Sequence, residues 1–396
     1  MREVWELMMV EYRKILRRKS TWIAVALLLL VAGLNPVVRV FQMTYYDGEP
    51  VATQREWMQL TRQKTNEVAG TVDAAFLEQV EQSVTDYYNR WESEKGDVEW
   101  YRDTYGRLML PYDLFFDVAP FAFSSWTGAD VDPYYQEYDD YLKRYYGREL
   151  ADQDMEDFLA MGRVNQPFTY GWMYAYDLFC GNQLTIGLFS CLAIAVCLSG
   201  MFAGETAVRM DALILSARYG KKQVLKAKLL CGISFSVIAA ACITLVHFII
   251  CGAANGFEGA NLPAQMYFPF VAWNLTVGQM AWICAGCSIL AAVLTGCLSM
   301  AVSAYARTPV PVLVVMFLFL IVPMFYGGPG NLRLFAALYD LLPTQMLVGD
   351  GGFSHVFRIG DAFVTGWQYS YPVYFVVCAV LVVTAYRGYQ HRQVGG

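Results

Sequence analysis

Six apolar stretches dominate this chain: residues 21–40, 183–203, 229–251, 275–306, 310–326 and 371–386, each near the length that crosses a lipid bilayer. A hydrocarbon layer about 30 Å thick takes roughly 20 helical residues at about 1.5 Å each. Inside lipid, every backbone N–H and C=O must be satisfied within the segment, so runs of this kind become helices. Composition agrees, since 56% hydrophobic and 16% charged residues give far more apolar surface than one soluble core of 396 residues needs. The run at 21–38 is too long for a secretory signal core, and no small-x-small cleavage site follows it before Asn35-Pro36-Val37. Arg307-Thr308-Pro309 divides what would otherwise be one overlong run, and Pro372 suits the first turn of a last helix capped by Ser370. The sequence therefore predicts an all-α polytopic membrane protein with six transmembrane helices.

Charge sets the expected orientation. With a cytoplasmic amino terminus, the inner segments carry fifteen Lys and Arg, six of them before the first span and six between spans two and three. The short outer segments carry only Arg39, Arg333 and Arg358. Both termini are thus expected in the cytoplasm of a multi-pass cell-membrane protein. Residues 1–20 place Trp5, Met8, Met9, Tyr12, Ile15 and Leu16 at helical spacing beside Arg13, Lys14, Arg17 and Arg18. That pattern predicts an amphipathic interfacial helix on anionic lipid; membrane lipid, and no nucleic acid, is the partner these bases are read as meeting.

The first span, 21–42, leads into a long segment, 43–182, read as a mostly helical external domain. Val72, Phe76, Val80, Val84, Tyr87 and Trp91 step along it by three and four. Between residues 44 and 177 there are 26 Asp and Glu against 11 Lys and Arg, interleaved with aromatic rings. A negative field concentrates cations and aromatic faces attract them, which makes Glu137, Asp139 and Asp140 candidate contacts for a cationic, partly apolar substrate such as a peptide or an amphipathic drug. An acidic solubilising surface over an aromatic core explains the same pattern. Residues 183–396 hold spans two to six, a loop at 204–228 and a second external segment at 327–370. In that segment Leu334, Leu338, Leu341 and Leu342 mark a short amphipathic helix, either dipping into the outer membrane face or packed on the external domain.

Site chemistry is sparse. There is no GxxxxGK[ST] loop, no HExxH, no GxSxG and no zinc-type cysteine spacing, and the three histidines are scattered. Nine of the ten cysteines lie in apolar runs and read as small packing residues. Spans two to six hold no Asp, Glu, Lys or Arg, which argues against coupling to an ion gradient, and His247 reads as a packing residue. A stripe of small residues in 275–306, including Gly278, Ser288, Thr295 and Ser303, permits close helix approach.

The loop GETAVRMDALILSARYGKKQVLKAKLL sets an apolar tip, residues 212–215, among six basic residues. An interfacial basic helix, a first span, an external insertion, and then a second span ending in Glu205 and followed by Leu213, Leu215, Ser216, Arg218 and Lys228 resembles the type-2 ABC exporter permeases. No proline occupies the Ser-x-Arg element here, and Asp211-Ala212 stands where that family often has glycine. The resemblance implies a non-catalytic transmembrane subunit that binds no cofactor itself. ATP and Mg²⁺ would sit on a cytoplasmic ATP-binding partner, and a second or related permease would complete the pathway. It also implies a coupling role for Glu205, Arg209, Leu213, Leu215, Ser216, Arg218, Lys221 and Lys222, with Glu205 and Arg209 expected as an i,i+4 pair. A different class stays open on the residues alone: a membrane receptor whose external domain binds a ligand and whose basic loop recruits a signalling partner.

Overall fold

The computed structural model of the chain describes residues 2–46, 49–94, 116, 118–119, 130–210, 220–326, 328, 332–348 and 352–390. Helix α1 (Arg2–Leu16) is followed, after a two-residue break, by α2 (Lys19–Phe41). The orphan carbonyls at the end of α1 are met from the next helix: Thr21 Oγ1 donates to Ile15 O at 2.7 Å and Trp22 Nε1 to Leu16 O at 2.7 Å. The apolar side of α1 is divided. Ile15 is buried, with Met8 and Tyr12 against the same core, while Trp5, Met9 and Leu16 are exposed. Half of the expected interfacial face is therefore spent on protein.

A hairpin, β1 (Met43–Tyr46) and β2 (Glu49–Thr53), leads to α3 (Gln54–Val68), whose start is fixed by a capping box of Thr53 and Glu56. Strand β3 (Gly70–Thr71) pairs with β4 (Thr169–Tyr170) and brackets α4 (Ala74–Glu94), α5 (Val131–Tyr146) and α6 (Asp152–Gly162). Val72, Phe76 and Val80 are buried with Tyr134, Tyr138, Tyr146 and Phe158, as the helical spacing predicts. The same core continues into Val271, Trp273, Met280 and Phe353, so region 43–182 and the segments joining later helices share one aromatic layer.

Helices α7 (Tyr174–Gly181) and α8 (Gln183–Leu198) meet at a 46° bend. After α9 (Ala203–Ala207) the described chain resumes in a π-helical turn, Gly220–Val224, that runs into α10 (Leu225–Asn255). Then follow α11 (Ala264–Tyr267), α12 (Val277–Tyr305), α13 (Pro309–Phe325), α14 (Arg333–Asp340), α15 (Pro343–Met346), the hairpin β5 (Val356–Ile359) and β6 (Ala362–Thr365), and α16 (Gly366–Gln390). Lys222–Asn255, α12 and α16 are long and apolar enough to cross a membrane, with α7–α8 a fourth if the bent pair is one span. Lys19–Gly33 and α13 are apolar but shorter.

α12 is central, packed on α8, α10 and α16. Its small-residue stripe does the packing: Ser288 Oγ donates to Gln183 Oε1 at 2.5 Å and Ser303 Oγ to Ser199 O at 2.7 Å. The last helix starts earlier than Ser370 and Pro372 suggest. Gln368 Oε1 accepts from Thr365 N at 2.9 Å, Ser370 lies inside the helix with its Oγ on Trp367 O, and Pro372 is interior. Among the described residues three two-stranded sheets depart from an all-α fold; all lie in the segments between apolar helices.

Candidate functional site

The basic loop leaves α8 through a tight turn. Ser303 on α12 fixes that turn, its Oγ accepting from Phe202 N at 3.2 Å and Ala203 N at 3.0 Å. Arg18 reaches across from the α1–α2 junction, its guanidinium donating to Cys197 O at 3.4 Å and Gly200 O at 3.1 Å, the carbonyls at the end of α8. Any side chain on Gly200 would occupy the space the Arg18 guanidinium fills. Phe202 packs on Tyr389 of α16, with ring centroids 5.1 Å apart. One turn at the end of α8 thus touches the α1–α2 junction, α12 and α16.

Both ends of the loop are held by one ion cluster that is mostly buried. Lys228, in the first turn of α10, is fully buried, and its Nζ donates to Glu11 Oε2 at 2.8 Å, to Glu205 Oε1 at 2.8 Å and to Met201 O at 3.1 Å. Lys14 Nζ donates to Glu11 Oε1 at 2.7 Å and to Glu205 Oε1 at 3.0 Å. Two carboxylates and two ammonium groups cancel, and each ammonium bridges both carboxylates. The buried members, Lys228, Glu11 and Glu205, add little net stability against an apolar substitute, but they impose one geometry, because removing one of them strands a buried charge, while Lys14 closes the cluster from its exposed side. Burial pushes the Glu11 carboxyl up, yet Lys228 and Lys14 outweigh it and hold the pKa below its ordinary 4.5. Burial pushes Lys14 down, and Glu11 with Glu205 outweigh that, leaving its pKa above 10.5. Tyr12 adds a hydrogen bond of 2.8 Å to Ser234, six residues along α10 from Lys228.

Of the residues expected to couple, Glu205 is in this cluster and Lys222 is exposed on the helical turn entering α10. Leu213, Leu215, Ser216 and Arg218 lie outside the described residues, as does the side chain of Lys221. The expected Glu205–Arg209 pair is not formed. The helix ends at Ala207 and Arg209 takes a left-handed φ of 56°, so its exposed side chain leaves the helical register while Glu205 is engaged by Lys228 and Lys14. Glu11 and Lys14 were not singled out as partners of this loop. The available signal was Lys228 itself, a base abutting an apolar span, which must find a countercharge.

At the opposite end of the bundle the three acidic candidates are each matched within the chain. Asp139 is buried against Arg163 at 2.6 Å, Asp140 lies 3.1 Å from Lys143, and Glu137 lies 4.0 Å from Arg144. Tyr134 and Tyr138, the adjacent rings, are wholly buried. Among the described residues no group of three His, Cys, Asp or Glu side chains is placed to hold a metal ion.

The model of the family described as ABC-2 family transporter protein matches residues 5–347, a stretch that takes in α1, the whole ion cluster and the helices up to α15. The chain matches no curated protein and no solved structure. With that match over most of its length and apolar helices of membrane-crossing length, the chain belongs to the ABC-2 family of transporter proteins, as an integral membrane component of an ABC transporter.

Proposed function

We propose that this chain is the permease subunit of an ATP-driven exporter, with six spans, both termini in the cytoplasm, and the loop at 204–228 docked on a separate ATP-binding subunit. The observation that carries this reading is the cluster of buried Glu11, Glu205 and Lys228 with the more exposed Lys14, which ties both ends of the basic loop to the amino-terminal helix. A loop held so firmly at its ends transmits a push on its tip to α1, α8 and α10 together. Leu213 and Leu215 at the tip would fill an apolar groove on the partner, and the flanking bases would sit under anionic headgroups. Closure of the ATP-binding subunits would then reorient the spans at an interface between two permeases, by alternating access.

The net negative charge of region 43–182 favours a cationic, partly apolar cargo. Co-expression with the ATP-binding subunit that functions with this chain tests the assignment. The two should co-purify in detergent, and inverted vesicles containing both should accumulate cargo only with hydrolysable ATP. Purification of a stable chain that never retains an ATP-binding subunit would overturn the assignment and favour a receptor.

A further inference from the structure

At the end of the bundle that carries region 43–182, a cavity of about 370 Å³ opens between α3, the start of α7 and the last residues of α10. Between residues 44 and 177 acidic side chains outnumber basic ones, 26 to 11, yet the formal charges among the described lining residues are Arg55 and Arg62. They lie seven residues apart on α3, two helical turns, and so share one face. Arg62 is ion-paired to Glu258, whereas the exposed Arg55 meets no carboxylate among the described residues and sits in the first turn of α3, where a helix disfavours a cation. Beside them the aromatic wall is fixed. Trp172 stacks on Tyr174 with centroids 5.7 Å apart, and its Nε1 donates to Asn255 O at 2.7 Å. The apolar run of α10 stops at Cys251, and lining residues Ala253, Ala254 and Asn255 follow at about 1.5 Å each, which sets the cavity where hydrocarbon gives way to headgroups. Toward the middle of α10, Ile238, Cys242, Leu245 and Ile249 are exposed at steps of three and four, a stripe that continues into exposed Ala253.

We infer that this cavity holds the phosphodiester headgroup of an anionic phospholipid, with one acyl chain along the exposed stripe of α10. A guanidinium offers paired N–H donors that match phosphate oxygens, and it is less strongly hydrated than an ammonium, so it suits the membrane boundary. Tryptophan and tyrosine favour the same depth, since their rings are apolar and their N–H and O–H groups polar. The volume is that of a small-molecule site. A soluble phosphate would use the arginines alone, whereas the stripe leading out of the cavity gives a lipid a second attachment. Gly256 holds the rim: at a φ of 89° it turns the chain after α10, and a side chain there would press on the Arg62–Glu258 pair. Because Arg62 and Glu258 cancel, the net positive charge is that of Arg55, and it favours an anionic headgroup over a zwitterionic one. A lipid held here is distinct from the cationic cargo proposed above, and the inference requires only that the chain lies in a membrane, not that it exports.

The test is a titration of the full chain in detergent, followed by native mass spectrometry. Dioleoylphosphatidylglycerol is the probe. Dioleoylglycerol, with the same chains and no phosphate, and glycerophosphoglycerol, with the same headgroup and no chains, are the controls. The phospholipid should bind more tightly than either, by about tenfold or more. Arg55→Gln should weaken its binding about fivefold, and Ala253→Glu, which brings a negative charge to the cavity wall without touching either arginine, should weaken it by a similar factor. Both positions are exposed, so folding is not at stake in either variant. Arg55→Lys keeps the charge and should keep most of the affinity, while Lys64→Gln, which removes a base paired to Glu67 elsewhere on α3, should change nothing. Equal binding of the phospholipid and dioleoylglycerol, affinity that ignores both cavity variants, or an equal loss in Lys64→Gln overturns the inference. Glycerophosphoglycerol binding as tightly as the phospholipid overturns the lipid assignment and makes the ligand a soluble phosphodiester.

Discussion

Lys228 shows how much one side chain can decide. Its ammonium is fully buried between Glu11 and Glu205, so Lys228→Met would leave two carboxylates with only Lys14 between them. Removing one member of a buried pair costs about 3 to 5 kcal/mol, and a lowered unfolding midpoint in detergent is expected. Adding Glu11→Gln to that variant should restore part of the loss, because it removes a stranded charge; a double variant as unstable as the two losses summed would mean that the groups do not act as a pair. The pH dependence follows from the signs. Glu11 is held below 4.5, so its contribution is present above that value and is lost as pH falls through the lowered pKa. Lys14 is held above 10.5, so its contribution is present below that value and is lost as pH rises through the raised one. Protection factors for amide exchange over residues 2–16, corrected for the intrinsic pH dependence of exchange, should therefore be highest across the intervening range and fall in acid below the ordinary carboxylate value. His355 behaves in the opposite sense to Glu11. Asp340 first and Glu149 second hold its imidazolium form, against burial, and raise its pKa to about 9. Its Nε2 lies 3.2 Å from Asp340, while Nδ1, 3.2 Å from Glu149 but poorly aligned for a hydrogen bond, is held by charge. The stabilisation is fully present below pH 6.5 and disappears as pH rises through about 9. His355→Gln should accordingly lower the unfolding midpoint at pH 6 and leave it nearly unchanged at pH 10.

Among the helices, α12 decides the packing, and it does so through what it lacks. A side-chain carbon at Gly296 would overlap Ser236 Oγ on α10 and press on Leu198 of α8. Gly296→Val is therefore expected to force both neighbours away and destabilise the bundle by about 1 to 3 kcal/mol, read as a lower midpoint, while Gly296→Ala should lose less. A valine variant as stable as the parent would show that the three helices are not in close contact there. The stripe that lets α12 approach was legible in the sequence because small residues recur at three and four, and so were the six apolar runs. Their ends were less legible. Pro372 and Ser370 resemble a start signal, yet Gln368 caps a helix that begins at Gly366, since a local motif competes with the turn supplied by a preceding hairpin. The hairpin itself had a readable signal that was passed over: Gly360-Asp361 between two four-residue stretches rich in Val, Ile and Phe, with Gly360 at a φ of 64°. Pairings between distant residues had no such signal. Glu11 is 217 positions from Lys228, and nothing local to either names the other.

Viewed as a whole, the molecule is polarised, with a charge-neutral, mostly buried cluster binding the ends of a basic loop and an aromatic, acidic layer at the other end of the bundle. The proposed topology and the proposed direction of force can both be checked. Lys222 is exposed on the turn entering α10, so Lys222→Cys should react with a membrane-impermeant maleimide only after cells are lysed, whereas a cysteine at Asp140 should react in intact cells. Labelling of the first without lysis reverses the proposed orientation and removes the basis for docking a cytoplasmic subunit at 204–228. In the proposed arrangement the tip of the loop meets the ATP-binding subunit. Leu213→Asp or Leu215→Asp would carry a charge into an apolar groove, where disrupting a central anchor costs about 2 kcal/mol or more. Because the ion cluster at the loop's ends is untouched, membrane insertion and thermal stability should hold while association with the ATP-binding subunit and ATP-dependent transport fall together. Lys228→Met predicts the reverse order of damage: the tip can still dock, but the push on it no longer reaches α1 and α10 as a unit, so ATP hydrolysis continues while transport per ATP drops. If the aspartate variants kept full association, the leucines would be facing lipid, and if Lys228→Met lost association rather than coupling, the cluster would be part of the docking surface and not its lever.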